Sequence, residues 1–333
     1  MLVDYHLHLE EGPYNLSWLS KTAESLALMN KQITPNSSRT EMEKTVSLLH
    51  ERVQNGAFTE AWLDLYLQQA LALGIKEVGI VDHLYRFHET TAYFEKHMQL
   101  DVTTELGRLQ RHWLDSVVTD NMADFFNCIT NAKEKWAAHG VTLKVGIECD
   151  YFIGGEEELA ALITLHEWDY VIGSVHFVDG WGFDNPQLIS IFDDYDLKQL
   201  YDQFFTVVLS MIESKLFDFV AHLDNLKIFN YRIEDELFML AWYERIARAL
   251  KVADIATEVN AGLHYRYPVK ESCPAPAFLA ILADYNIPLT ISSDAHYPHH
   301  LGMLVREHAA TLKQLNVIEI ATFTNRKREM KPL

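Results

Sequence analysis

The chain has 333 residues, with 28 Lys and Arg against 47 Asp and Glu, a formal charge of −19. That deficit argues against nucleic acid and against an anionic membrane surface as partners, since both need clustered Lys and Arg. Hydrophobic residues make up 49%, which excludes disorder, and the length suits one α/β barrel with insertions or two domains.

The first residues, Met1 to Gly12, hold neither a basic nor an apolar signal region, so no signal peptide is expected. No window approaches about 18 unbroken apolar residues, so no membrane span is expected either. Cys128, Cys149 and Cys273 are odd in number, far apart and form no CxxC pair. They suggest a reduced, cytoplasmic protein rather than a disulfide framework or a thiolate zinc site. Cys149 lies beside carboxylates, which would raise its pKa and make it a poor nucleophile.

Short apolar runs alternate with helical stretches along the chain. Leu2–Tyr5 precedes His6, and Gly79–Val81 precedes Asp82 and His83. Leu143–Ile147 precedes Glu148, Tyr170–Val175 precedes His176, and Phe217–Ala221 precedes His222. Ile255–Val259 precedes Asn260, Leu289–Ser292 precedes Ser293, Asp294 and His296, and Ile318–Phe323 is a last run. Helical patterns cover Glu60–Leu73, Leu197–Ser214, Glu236–Leu250 and Ala277–Tyr285, with C-cap signals at Leu73-Gly74 and Tyr285-Asn286. This alternation implies a parallel sheet, and seven or eight such units fit a closed barrel. Two regions, about 16–73 and 84–140, hold more helix than one crossover needs. They read as elaborations of a single domain over 1–333, the second as an elaborated loop or lid.

The sixteen histidines are not scattered at random. His6, His8, His83, Glu148, His176, His222, Asp294 and His296 all fall at or just past predicted strand ends, which in a barrel open on one face. His50, His112, His139, His166 and His308 read as ordinary solvated residues. His6-Leu7-His8 puts two imidazoles on one face of a strand. Glu148 closes an apolar run, so its charge would be buried and would need a cation, and the chain is short of Lys and Arg. Six histidines with two acids exceed what one tetrahedral ion uses and suffice for two or three, with Glu148 as bridge. Mixed imidazole and carboxylate ligands suit zinc, iron or manganese. Such ions lower the pKa of a bridging water and neutralise phosphoryl oxygens, which points to phosphate ester hydrolysis of a small phosphorylated substrate.

HxH, then Asp82-His83, Glu148, Gly173-Ser174-Val175-His176, Ala221-His222-Leu223-Asp224 and Ser292-Ser293-Asp294-Ala295-His296, in that order, resemble the polymerase-and-histidinol-phosphatase (PHP) superfamily. The resemblance runs from Asp4 to about Gly302. The stretches Gly146–Tyr151, Gly173–Phe177, Glu258–Gly262 and Ser292–His296 look most like its histidinol-phosphate phosphatase branch. It implies an α/β fold, a distorted (β/α)7 barrel, and a trinuclear metal cluster. By motif, His6, His8, Glu148 and Asp294 would hold one ion, and Glu148, His176 and His222 a second. His83 and His296 would help hold a third. Where the family has a further His after HxH, this chain reads Leu9-Glu10-Glu11-Gly12-Pro13-Tyr14. Glu11 or Tyr14 would substitute, or the third site is weak or empty.

Arg86 and Arg266, in rim loops, are candidates for the phosphate. His264 could contact phosphate or an imidazole, and Tyr14, Trp181 and Tyr265 could pack an imidazole ring. Asp224 would orient His222 or act as acid toward the leaving alcohol. With Glu148, Asp294 and His222, it completes the candidate catalytic set. The activity expected is a metal-dependent phosphomonoesterase acting on L-histidinol phosphate. The alternatives are a PHP phosphoesterase for a nucleotide or sugar phosphate, and a metal-dependent amidohydrolase. No feature of the sequence sets an oligomeric state.

Overall fold

Parallel strands need crossover connections, and in a computed structural model the short apolar runs enter one sheet through them. The structure describes residues 1–30 and 38–333, so positions 31–37 of the first elaboration lie outside it. The strands in chain order are Val3–Asp4 (β1), Glu77–Ile80 (β2), Thr142–Asp150 (β3), Tyr170–Ser174 (β4), Phe177–Val178 (β5) and Trp181–Gly182 (β6). Then come Phe219–Val220 (β7), Ala256–Asn260 (β8), Leu289–Ser292 (β9), Glu319–Thr324 (β10) and Lys327–Pro332 (β11). Seven of them form a parallel sheet in the order β1-β2-β3-β4-β7-β8-β9. The two edges meet: the Tyr5 N–H donates to the Ile291 C=O at 3.1 Å, and Leu7 bridges Ala295 in parallel. The barrel is thus the seven-stranded one that the resemblance implies.

The run at Ile318–Phe323 is not an eighth unit. Asn325 and Arg326, both at positive φ, make a two-residue turn, which leaves no room for a crossover and forces antiparallel pairing of β10 with β11. Phe323 of this hairpin packs its ring 5.6 Å from Tyr5 and 5.3 Å from Phe219. Tyr170 and Phe219 begin their strands, so the hairpin plugs the end of the barrel opposite the histidines.

The helix Glu60–Leu73 ends on Gly74 at φ +71°, and Leu197–Ser214 forms as expected. Glu236–Ala253 runs three residues past its expected end, and the helix expected at Ala277–Tyr285 spans Pro276–Asp284. The first elaboration adds Leu16–Met29, capped by Asn15, and Arg39–Asn55, opened by a capping box of Ser38 and Glu41. Its work is to hold the strand that carries HxH. Trp62 Nε1–H donates to the Leu9 C=O at 2.9 Å and Tyr66 O–H to the His8 C=O at 2.7 Å. Arg52, between the rings of Trp18 and Trp62, pairs with buried Glu10 at 2.7 Å. The second elaboration comprises Thr91–His97, Glu105–Val117 and Met122–Ala138. Its residues join the same apolar core as the barrel helices. Among the described residues no helix is long and apolar enough to cross a membrane.

Inside the barrel the strand faces differ in bulk. A Cβ on Gly146 would lie 2.6 Å from the ring of Tyr170, whose hydroxyl donates to the Tyr5 C=O at 2.9 Å. Gly146→Ala is expected to cost about 1–3 kcal/mol through overpacking, read as a lower urea midpoint at unchanged m-value.

Candidate metal centre

Alternation along β3 puts Gly146, Glu148 and Asp150 on the inner face while Val145, Ile147 and Cys149 pack toward the helices. Glu148 is 1% exposed and lies amid five imidazoles. Its Oε2 is 2.8 Å from His83 Nδ1, 3.2 Å from His6 Nε2 and 3.5 Å from His8 Nε2. Its Oε1 is 3.1 Å from His222 Nε2 and 3.8 Å from His176 Nε2. His6 and His8 converge at 3.1 Å between their Nε2 atoms, as two residues on one strand face should. His296 closes the group at 3.4 Å from His83, and Asp294 Oδ1 lies 3.7 Å from His8. No Lys or Arg pairs with Glu148 among the described residues.

A frame of carboxylates behind the imidazoles aims them. His176 Nδ1–H donates to Asp150 Oδ1 at 2.7 Å, which turns Nε2 toward the centre. Glu258 does the same for His6 at 3.1 Å and accepts the His222 backbone N–H at 3.1 Å. Asn260 Nδ2–H donates to Glu258 at 2.8 Å. Asp4 accepts the Ser293 and Gly302 N–H groups, at 2.8 and 2.9 Å, and so fixes the turn that presents Asp294. His222 and Asp294 have φ of +22° and +54°, strain of about 1–3 kcal/mol each that the surroundings must hold. A Cβ on Gly262 would collide with Asp294 Oδ2, so only glycine serves there. Glu258 and Asn260 were missed as individual functional residues. An acid inside the apolar run Ile255–Val259 was the signal for Glu258.

Burial opposes charge on His6, yet Glu148 and Glu258 outweigh it and hold its pKa well above the ordinary value. Burial likewise opposes His176, and Asp150 raises it to about 10. Burial, with His83 and His296 beside it, pushes His8 well down, and burial with Arg266 does so for His296. Glu148, despite burial, is held well below the carboxylate range by His6 and His83. The centre therefore balances a buried anion with protons that a cation would displace. Three donor triads lie within 4.8 Å: His6, His8 and Glu148; His83, Glu148 and His176; and His8, His83 and His296. The close approaches to Glu148 Oε2 and His83 Nδ1 lack hydrogen-bond geometry, and buried His8 Nδ1 and His222 Nδ1 find no hydrogen-bond partner among the described residues. This donor set fits divalent transition metals.

The centre opens on a cavity of about 570 Å³, walled by Trp18, Tyr85, Trp113, Phe229 and Tyr267. Arg266 enters it with Nη1 3.2 Å from Asp294 Oδ1 and Nη2 3.2 Å from Glu11 Oε1.

A family model for the PHP domain matches residues 59–262. The chain belongs to the PHP family. A probable histidinol-phosphatase of Deinococcus radiodurans is 31% identical over 223 residues, 66% of this chain and 82% of the relative. One of Schizosaccharomyces pombe is 23% identical over 220 residues, 63% of this chain and 71% of the relative. A histidinol phosphate phosphatase from Lactococcus lactis, solved with zinc, L-histidinol and phosphate, shares the fold at a TM-score of 0.62. It is 16% identical, and 98% of each chain is covered.

The PHP centre gathers all of His6, His8, His83, Glu148, His176, His222, Asp294 and His296. It does not gather the rest of the expected set. Glu11 borders the cavity but pairs with Arg266 and Lys21, the latter at 3.7 Å, instead of joining the imidazoles. Tyr14 lies outside the cavity wall, its hydroxyl accepting from Arg86 at 2.9 Å. Arg86 is fully buried and neutralised by Asp120, with Asp82 3.7 Å away, so it does not reach the cavity. Asp224 does not touch His222: its Oδ2 accepts from Lys227 at 2.8 Å and from the Ala275 N–H at 2.9 Å. His264 is exposed and off the cavity because the helix Gly262–Arg266 turns it outward, opposite Arg266. Trp181 is core, and Tyr265 spends its hydroxyl on the Ser293 and Asp294 carbonyls. His308 is buried beside Ser272 Oγ at 2.9 Å, not solvated.

The pair of His176 and Asp150 stabilises the metal-free PHP protein fully below about pH 6.5, and its contribution is lost as pH rises through about 10. The difference in urea midpoint between chelated wild type and chelated Asp150→Asn is therefore expected to narrow over that interval.

Proposed function

We propose that this PHP protein is a metal-dependent phosphomonoesterase that hydrolyses L-histidinol phosphate to L-histidinol and phosphate, a reaction of histidine biosynthesis. The observation that carries the reading is a buried carboxylate ringed by imidazoles at the floor of a cavity whose wall presents an arginine. The names of the two sequence relatives support the choice of ester. A volume of about 570 Å³ is within the range of roughly 300–1,000 Å³ typical of small-molecule sites.

Two or three zinc, iron or manganese ions are the proposed complement. His6, His8, Glu148 and Asp294 would hold one, Glu148, His176 and His222 another, and His83 and His296 a third. When bound, they supply a water of lowered pKa and neutralise charge on the phosphoryl oxygens. The chain's own groups do the positioning. Glu148 spans the donor groups through its two oxygens, and Asp150 and Glu258 keep the Nδ1 protons of His176 and His6, leaving each Nε2 free to ligate. Arg266, held by Asp294 and Glu11 at the cavity edge, is placed to receive a phosphate oxygen by charge-assisted hydrogen bonds. The aromatic wall excludes water and packs the imidazole of the alcohol. A cytoplasmic setting is part of the proposal, supported by three unpaired cysteines.

Chelation is expected to abolish phosphatase activity, and added zinc, iron or manganese to restore it. Glu148→Gln should cost more than the roughly 10–100-fold typical of losing an outer partner of a metal ligand, with the fold intact by circular dichroism. Arg266→Ala should raise KM by about tenfold or more. In a panel of phosphomonoesters compared by kcat/KM, L-histidinol phosphate should exceed nucleotide and sugar phosphates by orders of magnitude.

A further inference from the structure

Among the described charged side chains that border the cavity, all but one are engaged. Glu148 faces the imidazoles, Asp294 meets Arg266, and Glu11 is shared by Arg266 and Lys21. Asp184 also lines the cavity. Among the described residues its carboxylate has no hydrogen-bond or ion-pair partner on another residue. It belongs to none of the donor triads. It shares the cavity lining with His83, Glu148, His176 and His222 of the metal centre.

This position is built, not incidental. The hairpin of β5 and β6 turns at Asp179 and Gly180, both at positive φ. Phe183 N–H donates back to the His176 C=O at 3.1 Å, and Phe183 is fully buried. Gln110 of the second elaboration clamps the hairpin, accepting from Gly182 N–H at 2.7 Å and donating to the Gly180 C=O at 2.9 Å. Asp184, the next residue after Phe183, is thereby held in the cavity wall, which the rings of Tyr85 and Trp113, edge-on at 4.7 Å, also line.

A fixed carboxylate in an aromatic-walled cavity, close to where a phosphate would sit but repelling it, suits a cation attached to the same small molecule. We propose that Asp184 is a specificity residue that receives the ammonium group of a 2-aminoalkyl phosphate, the amine one carbon beyond the ester-bearing carbon. The inference rests on the phosphatase reading above and names the substrate class of that site. The same charge disfavours esters whose alcohol is neutral or anionic near that point, so it selects by repulsion as well as by attraction.

The test compares L-histidinol phosphate with 3-(imidazol-4-yl)propyl phosphate, identical except that hydrogen replaces the amine. Wild type is expected to prefer the aminated ester by about tenfold or more in kcat/KM. Asp184→Asn should collapse that ratio toward one at unchanged metal content, and Asp184→Glu should restore part of it. A wild type that cleaves both esters equally overturns the inference and leaves the phosphatase reading standing. So does an Asp184→Asn protein that loses both activities in proportion, or one that retains the full ratio. A metal-loaded wild type that hydrolyses neither ester overturns the phosphatase reading and the inference together.

Discussion

The structure depends on one buried charge. Glu148 carries a carboxylate at the throat of the barrel, where an isolated anion would cost several kcal/mol or more. Its neutralisation sets the places of the residues around it. Five imidazoles approach its two oxygens, and each of those imidazoles comes from a different strand end or from the HxH segment. Moving any one strand breaks the balance, so the barrel's closure and the site's geometry are the same constraint. The left-handed backbone at His222 and Asp294 is tolerated because Glu258 and Asp4 grip the adjoining N–H groups.

The two helical elaborations act on this centre from outside. Trp62, Tyr66 and the buried pair of Arg52 and Glu10 hold the His8 and Leu9 carbonyls and the start of the loop that follows HxH. Tyr85 and Trp113 of the second elaboration form cavity wall, while Gln110 anchors the hairpin that follows His176. Length beyond a minimal barrel is thus spent on rigidity and on shaping a cavity. The overall charge of −19 would not oppose binding of an anionic ester, because divalent ions held among the imidazoles would reverse the sign locally.

Much of the site was legible because periodicity and charge are local signals. Alternation in β3 and the pairing of His6 with His8 follow from strand geometry alone. That Glu148 wants a cation was read from a composition short of Lys and Arg, and among the described residues its close neighbours are imidazoles. Substrate candidates fared worse for a physical reason. Arg86 and Arg266 both follow strand ends, but whether a guanidinium meets the cavity or a buried acid depends on residues far away in sequence. Asp120 claims Arg86, 34 positions on, while Glu11 and Asp294 hold Arg266 at the edge. Lys227 similarly takes Asp224 away from His222. Glu258 looked like part of a strand, since its partners His6 and Asn260 are identified by the fold.

The sequence by itself determined the strand ends, the imidazole and carboxylate groups that gather at them and the family, since each is written in short-range spacing and residue type. Only the tertiary structure decided which acids orient which imidazoles, which arginine reaches the cavity, and that Asp184 stands at its wall with no partner among the described residues. Those outcomes come from long-range pairing of charges under burial, where a carboxylate's role is set by whichever partner the fold brings within about 3 Å.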